Sequence, residues 1–187
     1  IDPATGKEVY LKRYGEKTFV WDAVDMVPMG DSQPKWNGSI SSSFLYKNWS
    51  MNLAFTYSLG AHIYNQTLVD KIENSKVAYN LDRRAIKARW SKDNPDAKYK
   101  SIEIIGNDTP QSSRFVQKEN KLTFSSITLG YRFDPKNFKF LQTCRVASLS
   151  LNATMNDIAV LSTIRQEREL DYPFARSFNL SLSVLFN

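Results

Sequence analysis

Five stretches of this chain alternate apolar and polar residues with the period of a β-strand. A strand turns successive side chains to opposite faces, so each stretch carries one greasy side and one wet side. The last stretch is the plainest: Phe178, Leu180, Leu182, Val184 and Phe186 fall on one face, and Ser177, Asn179, Ser181 and Ser183 on the other. Two architectures use such a ribbon. A soluble sandwich buries the apolar face against a second sheet. A membrane barrel turns that face to lipid and keeps the polar face toward the lumen.

The other four predicted strands cover residues 38–47, 49–60, 122–133 and 145–155. In the second, Trp49, Met51, Leu53, Phe55, Tyr57 and Leu59 alternate with Ser50, Asn52, Ala54, Thr56, Ser58 and Gly60. Aromatic residues stand at both ends of the apolar row, as girdle residues do in a barrel strand. In the third, Leu122 and Phe124 have the opposite parity to Ile127, Leu129, Tyr131 and Phe133, which predicts a bulge at Ser125-Ser126. Strands of about 10–13 residues exceed the usual globular length of about 5–6. They match the membrane-barrel length of about 9–11.

The connections alternate between short and long, as barrel turns and external loops do. Short turns are expected at Lys47-Asn48 and over 134–143; the longer loops are 1–37, 61–120 and 156–173. The first loop holds a small hairpin over 8–12 and 18–21, and the second holds one or two short helices, best placed at 82–90. The fold class is therefore all-β: an antiparallel transmembrane β-barrel segment of five long strands with long extracellular loops. Its parts are loop 1–37, membrane hairpin 38–60, loop 61–120 and three further strands over 121–187. Five strands cannot close a barrel, since the smallest has about eight, so the others are expected from more sequence or another chain. No apolar run approaches the roughly 20 residues of a transmembrane helix. The start at Ile1-Asp2-Pro3, without methionine, is read as a processed product or a fragment.

Few residues suggest bond chemistry. His62 is the sole histidine and Cys144 the sole cysteine, which leaves neither a zinc set nor a catalytic triad. Asp31 lies in a turn-rich stretch that lacks the alternating carboxylates of an EF-hand, and Asp93 and Asp96 are read as loop carboxylates. No catalytic, cofactor or metal residue is expected, and no enzyme. The run Arg83, Arg84, Lys87, Arg89 and Lys92 contributes to a net charge of +6. It matches no nucleic-acid motif and is read as a solvated loop helix facing a partner or an anionic substrate. Sequons at Asn37, Asn48, Asn65, Asn152 and Asn179 largely restate the polar faces. Arg132 is expected in the lumen or near an interface, because a lipid-facing Arg at the midplane costs about 2–4 kcal/mol.

Several runs resemble a known family in its order. They are Asp2-Pro3-Ala4-Thr5-Gly6-Lys7-Glu8; Gly30-Asp31-Ser32-Gln33-Pro34-Lys35-Trp36-Asn37-Gly38; Phe55-Thr56-Tyr57-Ser58-Leu59-Gly60 leading to Ile63-Tyr64-Asn65; Ile127-Thr128-Leu129-Gly130-Tyr131; and Tyr172-Pro173-Phe174-Ala175-Arg176-Ser177-Phe178. Together they resemble the late barrel of SusC/RagA-type TonB-dependent transporters. The resemblance implies a barrel of about twenty-two strands around an N-terminal plug. It also implies a SusD-like surface lipoprotein as lid, energy from TonB through a segment absent here, and import of oligosaccharides or peptides across a Gram-negative outer membrane. The C-terminus is then periplasmic, and Asn187 follows the terminal aromatic where many such barrels end on the aromatic itself. Loop aromatics such as Trp21, Trp90 and Tyr99 are candidates for stacking on sugar rings, although no substrate residue is assigned. The rival reading is a soluble secreted β-sandwich that binds carbohydrate or protein.

Overall fold

Gly15 takes φ +87°, a backbone state open to glycine at no steric cost. There the chain reverses between β1 (Tyr10–Leu11) and β2 (Lys17–Thr18), which pair antiparallel. The expected hairpin is present but holds only two residues per strand. The second strand is cut short before Asp22, whose side chain accepts from the Val24 N–H at 3.0 Å and caps a 3₁₀ turn at Ala23–Asp25. The computed structural model describes residues 1–76, 78, 82–104, 108–164 and 176–186. The chain divides into two compact units, Ile1–Ser32 with His62–Lys118, and Gln33–Ala61 with Glu119–Asn187.

The first unit carries two of the short helices and a π turn. Helix α1 (Gln66–Leu68) runs into a single π turn, Val69–Glu73, and α2 spans Arg83–Lys87. Asn65 caps the first by accepting from the Leu68 N–H at 3.2 Å, and Asp82 caps α2 through the Arg84 N–H at 2.8 Å. The helix expected over 82–90 stops early because the next backbone groups pair elsewhere. The Tyr99 N–H donates to the Ala88 carbonyl, and the Trp90 N–H to the Tyr99 carbonyl. A small core forms from Leu68, Val69, Ile72, Ala85 and Phe115, with Tyr64 and Tyr99 packed on it.

The second unit is built on one sheet. Strands β3 (Trp36–Tyr46), β4 (Trp49–Tyr64), β5 (Val116–Phe133), β6 (Val146–Ser162) and β7 (Ser177–Phe186) pair antiparallel in chain order. Four of them run past their expected bounds: β3 starts at Trp36 instead of Gly38, β4 runs beyond Gly60, β6 beyond Met155, and β5 starts upstream of Leu122. The added segments lack a clean apolar alternation, yet pairing continues through their backbones, as at Lys121↔Ser162. Loops 61–120 and 156–173 are shorter than expected for that reason. The turn expected over 134–143 holds a helix, α3 (Lys139–Thr143). The charged loop 165–171, the Pro173 approach to the last strand and Asn187 lie outside the described residues.

Register confirms the two faces. Tyr131↔Leu151↔Leu182 and Leu129↔Ala153↔Leu180 run across three strands as apolar rows. The intervening rows are polar: Gly130↔Asn152↔Ser181 and Thr128↔Thr154↔Asn179. Arg132 stands in line with Ser150 and Ser183, so it belongs to the polar face. Hydroxyls and amides tie that face together, with Ser43 Oγ donating to Asn52 Oδ1 at 2.7 Å and Thr128 Oγ1 lying 3.0 Å from Thr154 Oγ1. The predicted bulge is present as a register shift between Phe124 and Ser126. Phe124 stacks on Phe55 while Ser125 Oγ lies 3.2 Å from Thr56 Oγ1, so the exposed parity switches at this point.

Among the described residues the apolar face has no second layer. Phe178, Leu180 and Leu182 each stay more than 60% exposed. The other sheet among the described residues, β1 with β2, is far too small to be the second leaf of a sandwich.

Candidate functional site

The first unit holds a cavity of about 810 Å³, bounded by residues near β1, the 20–32 segment and the 111–116 segment. That lies within the range of about 300–1,000 Å³ usual for ligand pockets. Its apolar wall comes from Val20, Met26, Val27 and Met29, which are exposed in the chain. Methionine is unbranched and polarizable, so such a wall adapts to ligands of varied shape. Trp21 also lines the cavity, and its ring is held by Nε1–H donating to the Gln111 carbonyl at 3.0 Å.

One side of the cavity rests on a charge cluster of which Glu73 is buried and Glu8 and Arg114 are partly accessible. Arg114 Nη2 donates to Glu8 Oε1 at 3.1 Å and to Glu73 Oε1, while its guanidinium lies 4.6 Å from the Phe115 ring centroid. Tyr10 OH donates to Glu8 Oε2 at 2.9 Å. Burial and the neighbouring Glu8 carboxylate both push the Tyr10 hydroxyl pKa up. Glu73 is fully buried at the end of the π turn. Its burial pushes its carboxyl above the usual carboxylate range, and Arg114 opposes that only in part.

Behind Glu73, Arg89 closes the turn. Nη2 donates to the Ile72 carbonyl, to the Glu73 carbonyl at 3.0 Å and to Ser75 Oγ, and Nη1 donates to the Lys100 carbonyl at 3.2 Å. The guanidinium thus satisfies carbonyls that the end of a helical turn leaves without partners. Lys100 is equally buried, its ammonium donating to Thr109 Oγ1 at 2.8 Å and Asn74 Oδ1 at 3.2 Å.

The raised Glu73 pKa makes a pH prediction. The folded chain holds the Glu73 proton more tightly than the unfolded chain does. This contribution therefore favours the fold below the ordinary carboxylate range and is lost as pH rises through the raised value. Hydrogen-exchange protection around Ile72–Glu73, corrected for intrinsic rates, should increase from neutral to mildly acidic pH. Glu73→Gln should flatten that dependence.

The sequence candidates scatter. His62 lines the cavity beside Gly30, its backbone N–H donating to the Asp31 carbonyl at 2.8 Å; Asp31 lines the cavity too. Cys144 is exposed in the second unit. Asp93 and Asp96 are exposed. Among the described residues, no three His, Cys, Asp or Glu side chains gather as metal ligands. Of the three aromatic candidates, only Trp21 lines the cavity. Trp90 packs over Gly6 with Nε1–H donating to the Pro3 carbonyl at 2.9 Å, and Tyr99 belongs to the core. The basic run is not wholly a solvated face, because Arg89 is buried and serves the fold. Neither that role nor those of Glu73 and Lys100 was legible in the sequence, since an isolated charge has no periodic signature.

No family model matches this chain, and no curated protein does. Solved structures do. The chain is similar to the RagAB peptide transporter with a TM-score of 0.69 at 16% identity, covering 88% of this chain and 18% of that one. It is also similar to the RagAB peptide importer in its "open-open" state (TM-score 0.69) and its "closed-closed" state (TM-score 0.65), each at 16% identity, 86% of this chain and 18% of the other. The chain therefore spans about a fifth of the length of the structures it matches. At this identity the likeness shows the fold: an antiparallel all-β chain whose five-stranded sheet matches part of a β-barrel transporter.

Proposed function

We propose that these residues are wall and external loops of a TonB-dependent outer-membrane transporter of the SusC/RagA type. Five strands of a barrel of about twenty-two form the wall. The polar rows, with Asn52, Thr56, Asn152 and Asn179, face the lumen, and the apolar rows face lipid. The loops of the first unit line the outer vestibule, where the cavity meets cargo and a SusD-like lipoprotein docks as lid. The mechanism is gated uptake rather than bond chemistry, energised by TonB through a part of the protein beyond these residues. The short turns and the C-terminus lie in the periplasm.

The observation that carries this reading is the uncovered apolar face on strands of 10–18 residues. An exposed apolar patch of that extent on a soluble protein is an aggregation surface, whereas in a bilayer it is the required exterior. Cargo is an oligosaccharide or a peptide. The cavity is lined by Trp21, Tyr10 and Tyr64 as well as by Val20, Met26, Val27 and Met29, and the aliphatic and thioether share of that lining, with the peptide transport named for the structural neighbours, supports the peptide.

Isolation of the native protein from an outer-membrane fraction tests the proposal. The expected product needs detergent, has an intact mass several times 21.5 kDa, and carries a surface lipoprotein with it. A detergent-free soluble monomer of 21.5 kDa would overturn the reading in favour of the sandwich.

A further inference from the structure

At the short-turn end of the sheet the aromatic side chains form a connected belt. Trp49 lies 4.7 Å from Tyr131 between ring centroids, Tyr131 lies 4.8 Å from Phe133, and Phe133 lies 5.5 Å from Phe138. Tyr46 and Phe186 stand at the same end on the two edge strands, both exposed. Beyond the belt, Phe140 on α3 is 75% exposed. It extends the exposed apolar surface of the belt rather than standing alone.

Cations border this belt on its outer side. Lys47 occupies the β3–β4 turn, with Nζ 5.4 Å from the Tyr46 ring centroid. Lys136 and Arg145 flank α3 in the β5–β6 connection, and all three are exposed. The two connections share one end of the sheet, since the Arg132 N–H donates to the Asn48 carbonyl at 2.9 Å. Among the described residues none of the three cations forms an ion pair. The one acid of the 134–145 connection, Asp134, accepts from the Lys136 backbone N–H at 2.9 Å.

We infer that this end of the sheet is a binding rim for anionic glycerophospholipid. The belt, with Phe138, sits at the depth of the glycerol and carbonyl groups, Phe140 lies against the headgroup side of that layer, and Lys47, Lys136 and Arg145 meet the phosphates. Aromatic side chains prefer that interfacial depth, and basic residues just outside it attract anionic headgroups. The occupant follows from charge complementarity and from continuity with the lipid-facing rows Phe133↔Leu149↔Val184. This inference rests on the barrel reading above.

The test uses the whole native protein in mixed micelles with phosphatidylglycerol or phosphatidylcholine of identical acyl chains, and native mass spectrometry to count retained lipid. Retention of phosphatidylglycerol is expected to exceed that of phosphatidylcholine by about tenfold. The preference should vanish in the triple variant Lys47→Gln, Lys136→Gln, Arg145→Gln. Equal retention of the two lipids overturns the inference, as does a preference that survives the triple variant, or displacement of both lipids by lipopolysaccharide. If the variant does not assemble, the comparison in the parent protein still decides. A parent that retains neither lipid and needs no detergent fails the barrel reading itself, whereas equal retention in an assembled barrel fails only this inference.

Discussion

Leu53→Arg is expected to block barrel assembly, while Asn52→Arg one residue away is tolerated. Leu53 lies within β4 in the apolar row with Met51 and Phe55, opposite Ser42 of β3. In the proposed barrel a guanidinium there would face hydrocarbon, at a cost of about 2–4 kcal/mol near the midplane. That is a large share of the stability of an ordinary fold. Asn52 belongs to the polar row, and its replacement forfeits one hydrogen bond from Ser43 Oγ, worth about 1 kcal/mol. The folded fraction can be read from heat-modifiable mobility of the whole protein. Equal tolerance of the two substitutions would show that the faces are assigned wrongly.

Arg114→Ala should have the second-largest effect, and its site is the first unit. It removes the cation shared by Glu8 and Glu73. Glu73 is buried although Arg114 is partly accessible, so deleting the guanidinium costs about 3 kcal/mol, chiefly because the buried carboxylate is left without compensation. Amides of Leu68 and Val69–Glu73, which pack in or beside the small core, should then exchange about a hundredfold faster. The double variant Glu73→Gln, Arg114→Ala should recover much of the loss, because it leaves no buried charge at that position. A double variant as labile as Arg114→Ala alone would mean that the guanidinium acts through its contact with the Phe115 ring and not through charge.

These two experiments address the two kinds of structure in the chain, and the kinds differ in how far the sequence discloses them. Strand faces repeat every second residue, so a row such as Phe178 to Phe186 declares itself within ten residues. The switch at Ser125-Ser126 was legible for the same reason, as a break in parity. Strand ends were less legible. Residues 116–121 read Val-Gln-Lys-Glu-Asn-Lys, with no alternation to mark them, and they are strand because backbone groups pair regardless of side chain. The helix inside 134–143 was missed because five residues are too few to show a helical period.

Local spacing along the chain determined the all-β class, the two faces of each long strand and the number of long strands, because period-two alternation is a property of neighbours. Only the tertiary structure decided which charges are buried and what they hold. Glu73, Arg89 and Lys100 are buried and Glu8 and Arg114 pair with them from the surface, up to 106 residues apart from Glu8 to Arg114, and nothing local distinguishes them from the solvated charges around them. Their meeting depends on long-range closure of the 1–32 and 62–118 segments. The same closure forms the cavity and holds Trp21 at it, while committing Trp90 to Gly6 and Tyr99 to the core.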